Sequence, residues 1–394
     1  MKTNKYLILV DLICMLLLTT LTQTLMPINL NRYIGFFLLF VILKIFIDNS
    51  DKKGIWLISS CFFCAFISFF SAESASKNLS NVVYWIIAIC TIYISSSATF
   101  RNKLMKAFCK RKRFLLGVVI VADIILCASL ATPKAYMNIW NEIYFVGFTA
   151  HQHTVASACC LIMAFSLLEL YISPTAPNMF PFKTFVLCFP ALLAVFESSA
   201  RIFLVPGIII LGYIVLYKIN NASIKMLSVP PTLIILGFVF LNSNMFKRIT
   251  SLSGAESGAY TSGRSSFWLA DIKAYMGFNF FYKLFGHGFD YIQAINLKVT
   301  RTAIGAHNDY ITLLIGVGAI GLLLYLAVLA YELKNNMKAD SIIKKLFLMA
   351  FWMITSFFNG FYGYQLLLYS YLIFKMVLIE DSNNLKRLES GKIK

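Results

Sequence analysis

The chain has 394 residues, of which 59% are hydrophobic and only 13% charged, and its mean hydropathy is +0.75. Soluble globular domains average about 45–50% apolar and about 25% charged residues, so this composition excludes an ordinary soluble domain. The formal net charge of +18 does not indicate nucleic-acid binding. Its densest basic run, residues 101–113, follows an apolar segment directly, where short cytoplasmic loops of membrane proteins collect Lys and Arg.

Apolar blocks recur along the whole chain, each close to the about 17–25 residues that a helix needs to cross a hydrocarbon core. In lipid, backbone polar groups must be paired within the segment, so these blocks predict helices. We therefore expect an all-α, polytopic membrane protein with about twelve transmembrane helices, forming a single transmembrane domain over residues 1–394. The predicted helices are 6–26, 31–47, 54–70, 80–99, 114–131, 153–172, 184–200, 202–217, 226–241, 308–331, 346–358 and 361–379.

The charge pattern predicts the sidedness. Residues 101–113 contain seven basic and no acidic residues, which places them in the cytoplasm. Alternating sides then puts both termini in the cytoplasm of a bacterial inner-membrane protein. Residues 242–306 become a large periplasmic loop, and long loops in compact proteins are usually functional. Within it, residues 265–281 have the pattern of an amphipathic helix lying along the membrane surface.

All four histidines, His151, His153, His287 and His307, fall on the predicted outer face. The spacing of His151 and His153 occurs in metal sites, but no Asp, Glu or Cys is placed to complete a ligand set. We predict no metal and no other cofactor. These two histidines are expected to lie solvated or at the membrane interface.

His307 differs because it stands just before the long apolar run 311–330, where a helix is predicted to begin. Asn308 or Asp309 is a natural N-cap there. The free N–H groups and the positive end of the helix dipole favour an anionic ligand. A histidine at this point could act as a general base or bind phosphate; the alternative is a merely interfacial side chain.

Two arginines are predicted on the same face. Arg201 ends the seventh predicted helix in an apolar stretch, where a charged residue marks a functional site by default; the alternative is an i,i+4 ion pair with Glu197. Arg264 opens the predicted surface helix, and the alternative role is a cation–π contact with Trp268. Guanidinium groups match phosphate oxygens. Together with His307, these arginines suit a diphosphate-linked lipid whose tail lies between helices.

At these residues the sequence resembles the family of O-antigen ligases and O-antigen or exopolysaccharide polymerases. The resemblance covers about residues 184–331 and depends on the order and spacing of its motifs. These are Ser199-Ala-Arg201, Gly263-Arg264 with Trp268, Gly286-His287-Gly288, and His307-Asn308 before a helix containing Gly316, Gly318 and Gly321. The sequence departs from the family at Ile202-Phe203, where small residues are more usual.

The resemblance implies a metal-independent membrane glycosyltransferase that uses undecaprenyl-diphosphate-linked oligosaccharide at the periplasmic face. Arg201 and Arg264 would bind the diphosphate and stabilise it as the leaving group, and His307 would deprotonate the acceptor hydroxyl or contact phosphate. The binding site would also include His287, Asn308 and Trp268. The implied partners are an acceptor glycan or lipid A–core, the lipid bilayer and a chain-length regulator; no nucleic acid is expected.

Three functions stay open. A polymerase, joining repeat units of O-antigen, capsule or exopolysaccharide, is favoured by residues 306–310 (Ala-His-Asn-Asp-Tyr) and the Gly-x-Gly motif. An O-antigen ligase would transfer the glycan to lipid A–core, and the seven basic and three acidic residues of 242–306 suit a phosphorylated core. A carrier or flippase would place ionisable groups near the membrane midplane. Asp123 is the clearest such residue, followed by Asp11 and Glu169.

Overall fold

The computed structural model describes residues 4–139, 142–173, 181–215, 222–251, 264–300, 303–336 and 342–389, and α-helices dominate them. The helices are α1 (Lys5–Leu21), α2 (Leu30–Asn49), α3 (Lys52–Phe70), α4 (Ala75–Ser95), α5 (Ala98–Lys110), α6 (Lys112–Leu130), α7 (Gln152–Ile172), α8 (Phe182–Glu197), α9 (Leu204–Tyr213), α10 (Ala222–Asn242), α11 (Asn244–Ser251), α12 (Arg264–Met276), α13 (Phe280–Phe285), α14 (Tyr291–Thr300), α15 (Asp309–Gly316), α16 (Gly318–Asn336), α17 (Ile342–Phe358) and α18 (Gln365–Glu389). Short 3₁₀ helices occur at Gln23–Leu25, Pro133–Ala135 and Arg201–Phe203.

Six of the described helices are long and apolar enough to cross a membrane: α2, α3, α4, α6, α7 and α16. Shorter apolar helices cover Arg201–Tyr213 and Gln365–Ile379. These observations agree with an all-α membrane-embedded protein. The total of about twelve crossings, the periplasmic loop and the sidedness of the termini stay predictions.

Helix α7 is at the centre of the bundle. In its most apolar stretch 83% of the residues are buried, against 33–39% in α2, α3, α6 and α16. It packs against α18, α8, α6, α1 and α9. A helix that is apolar on all sides is expected in such a buried position. The exposed apolar faces of the peripheral helices, such as Trp56 and Phe66 on α3, fit contact with lipid tails.

The connections between helices meet at two ends of the bundle. At one end, Phe289 N–H donates to Asn78 Oδ1 (2.9 Å) and Thr24 N–H donates to the Phe148 carbonyl (2.9 Å). At the other end, Arg111 pairs with Asp11 (2.7 Å). The first end carries the segments that the sequence predicts to be outside, and it is called the outer end below.

A buried charge network joins α4, α5, α16 and α18 towards the opposite end. Lys375 forms an ion pair with Glu332, and both side chains are fully buried. Tyr371 donates its hydroxyl to Glu332 (3.1 Å), and Lys375 donates to Ser95 Oγ (2.9 Å). Arg101 donates to the carbonyls of Ser95 and Ser96, both at 2.8 Å. These hydrogen bonds compensate charges that would otherwise be costly to bury.

The structure corrects several predicted boundaries. The basic run 101–113 is not a loop, because α5 includes most of it and α6 begins at Lys112. Two short antiparallel strands, β1 (Tyr136–Ile139) and β2 (Glu142–Phe145), follow α6. The predicted surface helix 265–281 is divided into α12 and α13, because Asn279 caps α13 by accepting from Tyr282 N–H (2.9 Å).

The predicted helix 308–331 is also divided, into α15 and α16. Gly318 has a φ of +72°, a left-handed conformation that ends a helix and favours glycine. A Cβ at Gly318 would collide with the backbone of Leu284 and Phe285, and one at Gly286 would collide with the backbone of Gly316. The glycines therefore allow the end of α13 to pack directly on the α15–α16 junction.

Candidate functional site

Five segments meet at the outer end of the bundle and form the candidate site. They are the N-terminus of α7, the 3₁₀ helix Arg201–Phe203, the first residue of α12, the segment before α15, and the connection from α17 to α18. The 3₁₀ helix packs against α7, α8, α9 and α17, and α12 packs against α15. Residues from distant parts of the sequence are thereby brought together.

His307 has a restrained conformation. Its φ is +51°, which is uncommon for a residue other than glycine. Its ring Nδ1 lies 3.1 Å from Asn359 Oδ1, in the α17–α18 connection. When Nδ1 carries the proton and donates to this oxygen, Nε2 keeps its lone pair. That tautomer leaves His307 with a nitrogen that can accept a proton.

Aromatic rings surround His307. The ring of His153 lies edge-on to that of His307, with centroids 5.8 Å apart. His153 also contacts Phe203 (5.8 Å) and Tyr364 (6.3 Å), and Phe203 packs against Tyr364 at 5.4 Å. His151 caps α7 by accepting the His153 N–H at its Nδ1 (3.2 Å). These contacts connect the start of α7 with the 3₁₀ helix and with the α17–α18 connection.

Arg201 is positioned by a tight break between α8 and α9. Ser199 has a φ of +54°, and it is buried. The N–H of Arg201 donates to the Ser199 carbonyl (3.0 Å), and Phe203 anchors the 3₁₀ helix among the aromatic rings. Glu197, the alternative partner expected from the sequence, accepts a hydrogen bond from Asn244 (2.8 Å). The break places Arg201 at the outer end of two apolar helices.

Arg264 is the first residue of α12 and is half-buried. Its Nη1 donates to the carbonyl of Phe358, at the end of α17. Trp268, one turn later, donates its indole N–H to the Ala306 carbonyl (2.7 Å) and packs on Phe357 with a centroid distance of 5.4 Å. Trp268 therefore fixes α12 against the residue that precedes His307.

Backbone strain concentrates at this site. Among the described residues, Ser199 and His307 are the two non-glycine residues with a positive φ. Such conformations cost of order 1–3 kcal/mol and persist where the surrounding structure enforces them, often at functional sites. Here Ser199 precedes Arg201 by two residues, and the second strained residue is His307 itself.

The electrostatics of the site keep His307 neutral. Desolvation on burial is the main cause, and the positive charge of Arg264 adds to it; together they lower the pKa of His307 to about 4. The hydrogen bond to Asn359 acts in the opposite direction. An anion bound beside Arg264 would oppose both effects and raise this pKa. The site is therefore suited to gain a proton when an anionic ligand is present.

The other predicted site residues have structural contacts. Asn308 is the N-cap of α15, accepting from Ile311 N–H (3.1 Å), as the sequence predicts. His287 stacks on Tyr291 (3.9 Å) and has its Nδ1 3.1 Å from the Ser71 carbonyl. The backbone N–H of His287 donates to the Ile315 carbonyl, near the C-terminus of α15. His307, in contrast, lies just before the N-terminus of α15. The contacts of His287 thus differ from those of the cluster around His307.

Sequence reasoning missed three residues of the cluster. His153 was expected to be solvated or at the membrane interface, but its side chain is only 6% exposed and touches His307. Asn359 and Tyr364 carried no signal, because neither residue type is unusual in a predicted outer turn. No three His, Cys, Asp or Glu side chains in the described ranges are grouped as a metal site; the predicted absence of a metal stays a prediction.

The chain matches no protein-family model and no curated protein sequence. The function must therefore be argued from the site.

Proposed function

We propose that the chain is a membrane-embedded glycosyltransferase that acts at the outer face on undecaprenyl-diphosphate-linked glycan and polymerises its repeat units. The observation that carries this proposal is the strained, neutral His307 held by Asn359 and within the field of Arg264. The motif resemblance at Arg201, Arg264 and His307 supplies the substrate class. The structural observation and the motif resemblance thus concern the same residues.

The arginines suit the diphosphate of the donor. Arg201 lies in the 3₁₀ helix that packs against α17, and Arg264 donates to the Phe358 carbonyl at the end of α17. Guanidinium groups present several donors to phosphate oxygens, and such contacts strengthen in a site from which water is partly excluded. Charge that develops on the leaving diphosphate would be stabilised by these fixed cations.

His307 is assigned the role of general base. The acceptor hydroxyl oxygen attacks the anomeric carbon of the donor sugar, and its proton moves to His307 Nε2. The bond between the anomeric carbon and the phosphate oxygen breaks, and the electron pair leaves with undecaprenyl diphosphate. Attack from the face opposite the diphosphate inverts the anomeric centre. A positioned base contributes about 10²–10⁴-fold to the rate.

The ligase is the second candidate. The feature that favours it is the excess of basic over acidic residues in 242–306, which suits a phosphorylated lipid A–core acceptor. The carrier has less support. Two of its three candidate carboxylates are paired, Asp11 with Arg111 and Glu169 with Lys183, each at 2.7 Å.

The test compares His307→Ala with the exposed control Lys273→Ala in cells that make the polysaccharide. If the protein is a polymerase, cells with His307→Ala should display lipid A–core carrying a single repeat unit, since a separate ligase still acts. A ligase variant should leave bare core and long chains on undecaprenyl diphosphate. A normal ladder in His307→Ala, with the protein present in the membrane, would contradict the catalytic role of His307.

A further inference from the structure

A cavity of ≈ 320 Å³ with both polar and apolar walls lies at the outer end, on the side of the N-terminal helices. This volume is within the range of about 300–1,000 Å³ found for small-molecule sites. Its walls come from α1, α2, α4, α7 and α18 and from the connections between them. All of these elements lie outside residues 184–331, the stretch that carries the motif resemblance.

The cavity adjoins the candidate site. Tyr364 lines the cavity and also packs against His153 and Phe203. Thr154 and Ser157, on the first turns of α7, line it as well, and Thr154 follows His153 directly. A ligand in this cavity would therefore reach the cluster around His307 from the side of α7 and α18.

One lining residue has an unmet hydrogen-bond donor. Gln365 is only 7% exposed, and its Nε2 has no hydrogen-bond partner in the described part of the chain. A buried polar group without a partner costs about 1–3 kcal/mol, so its retention calls for an explanation. A ligand that supplies an acceptor oxygen at this position would satisfy it.

The chemistry of the walls identifies the ligand class. Side-chain amides and hydroxyls dominate, with the rings of Tyr84 and Tyr364; no described lining residue is acidic, and Arg32 is the lone charged one among them. Amides and hydroxyls both donate and accept hydrogen bonds, as a polyhydroxylated ligand requires. The amides and hydroxyls are those of Gln23, Asn29, Asn31, Gln365, Thr20 and Ser80, besides the two on α7.

We infer that this cavity binds the acceptor glycan, with its hydroxyl-rich sugar units held by amides and hydroxyls and its attacking hydroxyl directed towards His307. The inference rests on the proposed glycosyltransferase function. Two glycans must meet in that reaction. The arginines account for the diphosphate of the donor, and the cavity provides a separate, nearly uncharged site for the acceptor.

Two variants test the cavity. Gln365→Met removes the unmet donor at similar size and should weaken binding roughly two- to tenfold, the value of one neutral hydrogen bond. Because it also removes an unsatisfied polar group, its thermal stability should be unchanged or higher. Asn29→Trp adds a large side chain at an exposed position whose own side chain makes no capping hydrogen bond. The control is Ile28→Trp, at a residue that is 57% exposed and does not line the cavity.

The probe is the free repeat-unit oligosaccharide, cleaved from the undecaprenyl diphosphate pool of the producing cell and followed by saturation-transfer NMR on full-length protein in nanodiscs. We expect binding to wild type, to Ile28→Trp and to Arg264→Ala, since the probe lacks diphosphate. Binding should be lost in Asn29→Trp and weakened in Gln365→Met. Undiminished binding in both cavity variants, or no binding to wild type, would overturn the inference.

The same variants separate this inference from the proposed function. If Arg264→Ala makes normal surface polysaccharide, the glycosyltransferase proposal fails, and the assignment of the cavity to an acceptor fails with it. If Arg264→Ala abolishes the polysaccharide while Asn29→Trp and Gln365→Met both bind the oligosaccharide as wild type does, the cavity assignment alone fails.

Discussion

Replacing Asn359 by Asp should raise the pKa of His307 and expose its role. Asn359 is buried, and its Oδ1 lies 3.1 Å from His307 Nδ1. A carboxylate at that distance raises the pKa of a histidine by about 1–3 units, each unit corresponding to about 1.4 kcal/mol. Because position 359 is buried, desolvation disfavours the charged form of the new carboxyl group and limits the shift. We therefore expect about one unit, from about 4 to about 5.

The assay is a pH titration by NMR of histidine-labelled protein in nanodiscs. The chain has four histidines, so comparison with His307→Gln assigns the signal. The sign for catalysis follows directly: a base works deprotonated, so activity is lost as pH falls through its pKa. In Asn359→Asp, the acid limb of the pH profile of kcat/KM should move to higher pH. The control Asn359→Leu removes the hydrogen bond, should lower the pKa slightly, and should reduce the rate. A wild-type His307 that titrates near 6.5, or an Asp variant with an unshifted titration, would refute this account of the site.

Four further predictions follow from the structure. Arg201→Lys keeps the charge but loses the planar guanidinium, so the surface polysaccharide should be largely lost with the protein retained in membranes; an intact ladder would remove Arg201 from the site. Gly318→Ala should lower the thermal stability, since a left-handed conformation costs an L-residue about 1–2 kcal/mol and the backbone of Leu284 blocks the added Cβ; Gly117→Ala, in open space on α6, should not. Lys375→Met leaves the buried Glu332 without its cationic partner and should cost about 3–5 kcal/mol, measurable by thermal unfolding in detergent. A smaller loss in the double variant with Glu332→Gln would support the pairing. For the topology, Cys109 and Cys127, the two exposed native thiols, are first replaced by Ser. In that background, Lys273→Cys should react with an impermeant thiol reagent from the periplasmic side, and a variant that keeps Cys109 as its one exposed thiol should not. The reverse labelling pattern would contradict the predicted topology.

The sequence predicts the parts of this protein that depend on local pattern. Apolar block length predicts most of the helices, and the residue type and position of Asn308 predict the cap of α15. Arg264 begins α12, as the sequence predicts. These features need only neighbours along the chain, which is why they are visible without a structure.

Contacts between segments that are distant in the sequence could not be predicted from it. The pairing of His307 with Asn359, and the approach of His153 to both His307 and Tyr364, join residues more than fifty positions apart. The break at Gly318 was missed because its cause is the packing of a distant backbone at Leu284. The cavity at the outer end was missed for the same reason, since its walls come from five separate helices.

Reconstitution of the purified protein tests the central claim most directly. Proteoliposomes would receive undecaprenyl-diphosphate-linked repeat units as the sole glycan, and both polymer and released undecaprenyl diphosphate would be measured. The account predicts longer lipid-linked chains, with one undecaprenyl diphosphate released per bond formed, and neither product from Arg264→Ala or His307→Ala. If wild type in the predicted orientation leaves this donor unchanged, or if the variants convert it equally well, the protein is not the polymerase proposed here.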